Sequence, residues 1–414
     1  MLIFLAIILC QMQGSVIWGA PGVGGVYTAV PTDDIDMDGV PDVLAAIYGD
    51  YYPFPPIRLF LASGATGATI WSRSDCQGTW GNKTLLAIDD ISGDSIKDCI
   101  LGTTGVGFPG STVFAISGVT SANLWTWSTQ TNGPNQGRIY KVAQAPDRNG
   151  DGYPEVLAAA GGNYSNQSGT AFCFCGHTGD TLWTFRIPFD GCQSIASLGD
   201  VNNDGVPDVA AGAGGNNADN RVFGLNGATG QMLWQYNAGT SVWDVIGFVD
   251  VNNNGIEDVI AGSLGGKVIC LEGSNGSVIW QRELGSWVME LVAIRDVNGD
   301  GMKDIVVGSW ASVVYVLSGA NGETIWSQTV GADTWPVDTL ADVTGDGLPE
   351  VVAGGVNGRN VKVMNGVTGE VLWEYTYLDR VYDVTGAPDL DGDGFADVLV
   401  SLQDQQSQPY QLYA

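Results

Sequence analysis

The chain has 414 residues, 44% hydrophobic and 15% charged, and its 45 acids against 16 Lys and Arg leave a net charge of −29. That balance excludes a nucleic-acid backbone binder, which needs a basic stripe, and the ordinary apolar content excludes a disordered chain. No apolar run is long enough for a membrane span, and one histidine, His177, cannot build a multi-histidine metal site.

The first segment, residues 1–12, reads as a leader or the remnant of an export signal, although it lacks a basic n-region. The competing reading is a strand. Phe4–Trp18 aligns without gaps to Gly266–Trp280, and both end in Gly-Ser-Val-Ile-Trp. Residues 13–414 read as one domain built from repeats.

The repeats carry the information. A segment D-x-[DNST]-x-[DN]-[GS]-x-x-[DE] starts at Asp34, Asp90, Asp147, Asp200, Asp250, Asp296, Asp342 and Asp389, at intervals of 46 to 57 residues. A second element, G-x-x-x-W, ends at Trp18, Trp71, Trp183, Trp234, Trp280, Trp326 and Trp373, with a variant at Trp125. One repeat shows four β-rich runs: Trp335–Ala341 (A), Val351–Gly355 (B), Asn360–Met364 (C) and Val371–Tyr375 (D), separated by Gly, Asn and Asp. Four strands per repeat of about 40–50 residues is the signature of a propeller blade. The expected fold is an all-β, eight-bladed β-propeller of four-stranded blades. Its repeats begin near Tyr27, Lys83, Tyr140, Gln193, Trp243, Met289, Trp335 and Tyr382. Ser15–Trp18 is expected to complete the last blade as its D strand, removing the open sheet edges.

In each acidic loop, positions 1, 3, 5 and 9 carry oxygen side chains, and Gly at position 6 permits a sharp turn. Hard oxygen ligands at this spacing suit calcium. The candidate ligands are Asp34, Asp36, Asp38 and Asp42 in loop one, and Asp90, Ser92, Asp94 and Asp98 in loop two. Loop three offers Asp147, Asn149, Asp151 and Glu155, and loop four Asp200, Asn202, Asp204 and Asp208. Loop five offers Asp250, Asn252, Asn254 and Asp258, and loop six Asp296, Asn298, Asp300 and Asp304. Loop seven offers Asp342, Thr344, Asp346 and Glu350, and loop eight Asp389, Asp391, Asp393 and Asp397. These positions hold 25 of the 45 acids, a repulsive arrangement without a cation. Up to eight Ca²⁺ are expected. Loop two, with Ser95 in place of the glycine, and loop five, with two acids, should bind worst. Position 12 is a strand residue in every copy, so the loops are not EF-hands. The competing reading is metal-free Asx turns.

Asp200-Val-Asn-Asn-Asp-Gly-Val-Pro-Asp208 and its copies resemble FG-GAP/VCBS repeats, the calcium-loop blades of integrin α-subunit propellers. Asn226-Gly-Ala-Thr-Gly-Gln-Met-Leu-Trp234 is similar to the tryptophan-docking (PQQ-like) repeat of quinoprotein propellers. The resemblance implies adhesion or ligand display on a calcium-stiffened ring. Integrin-type rings have seven blades, so a count of eight is nearer the quinoprotein type.

Candidate recognition residues lie on the extended B–C loops of the early blades: Tyr48, Tyr51, Tyr52 and Phe54, then Phe108, then Tyr164. A second group opens strand A: Tyr27, Tyr140, Trp243, Trp335 and Tyr382, with Lys141, Asp244, Glu290 and Asp383 at the following positions. Core packing is its expected role; the alternative is a ring at a channel mouth suited to a sugar or a basic peptide. Cys76–Cys99 and Cys175–Cys192 are candidate disulfides, and Cys270 reads as a buried thiol. The reading is a calcium-binding scaffold for an extracellular protein or glycan. It would be secreted, at the cell surface or periplasmic, and either a monomeric ring or part of a longer surface protein. An enzyme is the alternative. A calcium-dependent polysaccharide lyase needs a base near neutral pKa, and His177 lies in a turn while Lys and Arg are sparse; a quinoprotein dehydrogenase needs adjacent cysteines that are absent.

Overall fold

The computed structural model describes residues 16–22, 25–47, 58–76, 78–79, 81, 83–104, 111–129, 137–162, 168–215, 219–403 and 410–413. The leader assigned to residues 1–12 lies outside them, as do Tyr48, Tyr51, Tyr52, Phe54, Phe108 and Tyr164. Among the described residues there is no helix, and so none able to cross a membrane.

The first seven repeats each form four consecutive antiparallel strands in the order A-B-C-D, and the last forms three. In the fifth these are Val242–Phe248, Asp258–Ser263, Lys267–Leu271 and Val278–Glu283. Six sheets have four strands. A seventh has eight, because Ser309 and Thr334 join two neighbouring repeats through a single pair. B strands are buried along their whole length, as their continuous apolar runs require. D strands alternate buried and exposed residues and face outward.

The hydrophobic clusters lie between repeats, not within them. Phe248, Ile260 and Trp280 of the fifth repeat interlock with Val288, Leu291 and Ile305 of the sixth. The same holds at the seam, where Val26, Ala45 and Phe60 of the first repeat pack with Leu390 and Leu399 of the last. The seam is also hydrogen-bonded: Gly19–Gly22 pairs antiparallel with Tyr410–Tyr413 and supplies the last sheet's fourth strand. This corrects the expected closing strand, Ser15–Trp18. The ladder starts at Gly19, four residues beyond the expected start, and Trp18 just before it donates its indole N–H to Gly64 O at 2.5 Å.

That contact recurs around the chain. Trp71, Trp125, Trp183, Trp234, Trp280 and Trp326 each donate to a glycine carbonyl of the following repeat, at 2.6 to 2.9 Å. In most copies the indole face lies on a second glycine, such as Gly276 at φ +71, where a Cβ would come within 2.4 Å of Trp234. Repeat two uses Ser121 at φ 59 instead. The tryptophans therefore link neighbouring sheets, as their size and single donor suit. The expected disulfides do not form. Cys76, Cys99, Cys173, Cys175, Cys192 and Cys270 are all free and buried. Burial pushes the Cys76, Cys173 and Cys192 thiols up to about 12, which keeps them protonated and inert.

Candidate functional site

Two features of each repeat bear chemistry, at opposite ends of strand A. The acidic loop follows A; the segment that begins A points to the centre.

In the acidic loops, the carboxylate at position 1 folds the turn onto itself. Asp200 accepts N–H groups from Asp204 (3.1 Å) and Gly205 (2.8 Å), and Asp389 accepts them from Gly392 (2.7 Å) and Gly394 (2.8 Å). Position 9 is buried in seven loops and half-buried at Asp397. Asp208 accepts from Val201 and Asn202 within its loop and from Gly227 at 2.8 Å in the C–D turn. Asp42, Asp98, Glu155, Asp258, Asp304 and Glu350 make the equivalent bond to Gly64, Gly118, Gly176, Gly273, Gly319 and Gly366. The same glycine thus joins the acid of its own repeat, through N–H, to the tryptophan of the preceding one, through C=O. Burial pushes Asp258, Asp304 and Asp397 up to about 6, against the opposing backbone donors.

Loops one, seven and eight bring three carboxylates together. Ligating oxygens of Asp34, Asp36 and Asp38, of Asp342, Asp346 and Glu350, and of Asp389, Asp391 and Asp397 lie within 4.8 Å of one another. These sets fit a hard cation, because a carboxylate that accepts one backbone N–H retains further lone pairs. In loops three, four and six the third-position amide donates to a neighbouring acid: Asn149 to Asp151, Asn202 to Asp208 and Asn298 to Asp300. In loop five Asn252 and Asn254 both donate to Glu272.

At the other end of the strands the chain forms a central cavity of about 400 Å³. All eight residues that open the repeats line it: Tyr27, Lys83, Tyr140, Gln193, Trp243, Met289, Trp335 and Tyr382. The backbone explains this convergence. In seven first strands the register against strand B skips a residue at this point, as between Val242 and Asp244 or between Val381 and Asp383. Such a β-bulge leaves its residue unpaired and re-aims the side chain. The bulged residues are Tyr27, Tyr140, Gln193, Trp243, Met289, Trp335 (with Pro336) and Tyr382, so the aromatics expected to pack in the core face the cavity instead.

The residue after the bulge forms a buried polar belt. Asp244 receives Lys83 Nζ at 2.5 Å, Lys141 Nζ at 2.9 Å, Ser194 Oγ at 2.8 Å and Leu291 N at 3.0 Å. Lys83 also reaches Glu290 at 3.3 Å. Burial alone would raise the Asp244 carboxyl, but Lys141 and Lys83 hold it below the usual carboxylate range. Burial depresses Lys141. Asp383, bonded to Thr28, is raised well above its ordinary value by burial and by Glu290. Lys83 belongs to this belt yet escapes recognition in the sequence, because repeat two, like repeats four and six, lacks the aromatic that marks the other five. His177 is remote from the cavity: it stacks on Tyr153 at 4.3 Å and bonds Ile91 O at 2.7 Å. Ser194 and Lys141 lie 3.1 Å apart, but Ser194 is wholly buried behind the cavity wall and Lys141 is held by Asp244, so they form no exposed nucleophile.

Glu290 sets a pH response. Burial pushes it up to about 7, opposed by Lys83 and reinforced by Asp244 and Asp338; Asp383 faces the same belt. The folded state therefore binds a proton that the unfolded chain, at its ordinary 4.5, has released. This contribution is complete below pH 4.5 and is lost as pH rises through 7. In melts at pH 5 and pH 8, Glu290→Gln should narrow the difference in Tm seen in the parent. An unchanged difference would place the titration elsewhere.

The strand order, the converging first strands and the bonded seam define a β-propeller, and the comparisons agree. The chain belongs to the family described as outer membrane protein assembly factor BamB, which matches residues 61–304. The lambda-carrageenase β-propeller domain family matches residues 258–366. Among solved structures, the chain is similar in fold to Saccharomyces cerevisiae Sqt1, at 10% identity and TM-score 0.70, covering 97% of this chain and 99% of that one. The computationally designed Ika8 protein is similar at 15% identity and TM-score 0.66, covering 97% and 99%. Chaetomium thermophilum Sqt1, bound to the N-terminus of the ribosomal protein L10, is similar at 12% identity and TM-score 0.66, again covering 97% and 99%. No curated protein matches the sequence.

Proposed function

We propose that the chain is an exported, calcium-binding, eight-bladed β-propeller that acts as a ligand-binding scaffold, with its ligand seated in the central cavity. The observation that carries this reading is the convergence of all eight repeat-opening residues on one cavity, aimed there by bulges in seven of them. The blade count is supported by eight hydrophobic clusters, each filled from two consecutive repeats. Calcium, and with it the FG-GAP/VCBS character of the loops, is supported by the three-carboxylate sets of loops one, seven and eight. The BamB family name fits an exported setting, secreted, periplasmic or at the cell surface. The Sqt1 complex shows a propeller of this general fold holding a peptide segment.

The test is a melt of the whole chain in chelator and in millimolar calcium, with bound metal counted. Each site filled at a hundredfold excess over Kd adds ~2.7 kcal/mol to stability, so calcium should raise Tm strongly. Asp34→Ala and Asp389→Ala should each lower the metal count by one. Neither bound metal nor a shift in Tm would leave the acidic segments as plain turns.

The lambda-carrageenase match favours a second reading, a polysaccharide-binding or polysaccharide-cleaving role. Among the described residues, no histidine lines the cavity to serve as a base.

A further inference from the structure

One wall of the cavity is a continuous arc of aromatic rings. Trp287 and Trp310 have centroids 5.3 Å apart, Trp310 and Trp335 5.1 Å, Trp335 and Tyr382 5.9 Å, and Tyr382 and Tyr27 4.9 Å. Beside this arc the cavity is lined by Glu290 and Asp244 together with Lys83 and Lys141. They belong to a belt of four carboxylates, Asp244, Glu290, Asp338 and Asp383, and two ammonium groups, Lys141 bound by Asp244 and Lys83 shared between Asp244 and Glu290. The molecule carries −29 overall. Aromatic faces present negative charge to a ligand, and a cation within about 6 Å of a ring centroid is attracted. Both ammonium groups are already paired with carboxylates, so a polyanionic sugar would find no free cation, whereas an organic cation meets the ring faces.

We propose that the cavity receives an organic cation, an alkylated ammonium group lying against Trp287, Trp310 and Trp335, beside the Lys83–Glu290 pair. The inference rests on the scaffold reading and names its ligand. The same chemistry can come from a free quaternary amine or from a methylated lysine side chain on a peptide.

The test uses the full chain in calcium, with calorimetry and tryptophan fluorescence. The probes are choline, a peptide carrying trimethyl-lysine, the same peptide carrying norleucine, the neutral isostere 3,3-dimethylbutan-1-ol and a neutral oligosaccharide. Binding by either cation, about tenfold or more tighter than by its neutral counterpart, is expected. Trp310 stands half-buried in a turn, so Trp310→Ala should keep its calcium content yet bind about tenfold more weakly. Glu290→Gln should weaken binding in the same direction. A peptide preferred over choline assigns the peptide source; parity assigns the free amine. Equal binding of charged and neutral partners, or Trp310→Ala binding like the parent, overturns the proposal. Oligosaccharide binding without cation binding overturns it and leaves the scaffold standing, whereas no binding by any probe overturns both.

Discussion

Asp208→Ala should cost about 3–5 kcal/mol or prevent folding, although position 9 lies beside a solvent-exposed loop. Its carboxylate is wholly buried and takes Val201 N at 2.9 Å, Asn202 N at 3.2 Å and Gly227 N at 2.8 Å. Alanine leaves three backbone donors without an acceptor, and each buried unmade bond costs ~1–3 kcal/mol. Asp208→Asn keeps one oxygen and turns an N–H₂ toward the other donors, so it should fall between. The control is Asp204→Ala at position 5, which is exposed; in chelator it should cost well under 1 kcal/mol. Denaturant unfolding in chelator separates these variants. Equal costs at the two positions would mean that Asp208 is not the internal anchor.

Trp234→Ala should cost a comparable ~3–5 kcal/mol, the range for removing a large buried aromatic. The indole is 6% exposed, donates to Gly273 O at 2.6 Å and lies on Gly276. Trp234→Phe keeps most of the ring but strands the carbonyl, so ~1–2 kcal/mol is expected. Gly276→Ala is the reciprocal probe. It is strained at φ +71, and its Cβ would lie 2.4 Å from the indole. Removing the indole relieves that clash, so the double variant should cost less than the two singles added together. Strict additivity would show that the two groups do not meet.

Much of the fold was legible because repetition magnifies weak local signals. A single run such as Val371–Tyr375 is ambiguous alone. Its recurrence with Trp373 and an acidic loop in the same order made four strands per repeat readable. The tryptophan's role was legible from its size, but its partner was not, since Gly273 lies 39 residues away in the next repeat. Position 9 shows a different limit. A carboxylate serves equally as a metal ligand or as an acceptor for backbone N–H groups, and only the pairing of Asp208 with Gly227 shows that it makes the second contact. The cavity was the hardest part to read. The spacing located Tyr27, Trp243 and Tyr382, yet an aromatic on a strand ordinarily packs inward. What turns them is a bulge, a mismatch of two residues against one, and that depends on the partner strand.

The pairing of Gly19–Gly22 with Tyr410–Tyr413 closes the last sheet at the edge opposite strand Arg380–Ala387, which carries Tyr382 of the aromatic arc. At the cavity, Tyr27 of the first repeat and Tyr382 of the last lie 4.9 Å apart, with Asp383 bonded to Thr28 across the join between those two repeats. A molecule bridging those two rings would act as a clasp on a hoop. Spontaneous opening would have to part the ends of the chain and release the occupant in one event. Hydrogen exchange at the two short terminal strands would then report occupancy of a chamber they never touch.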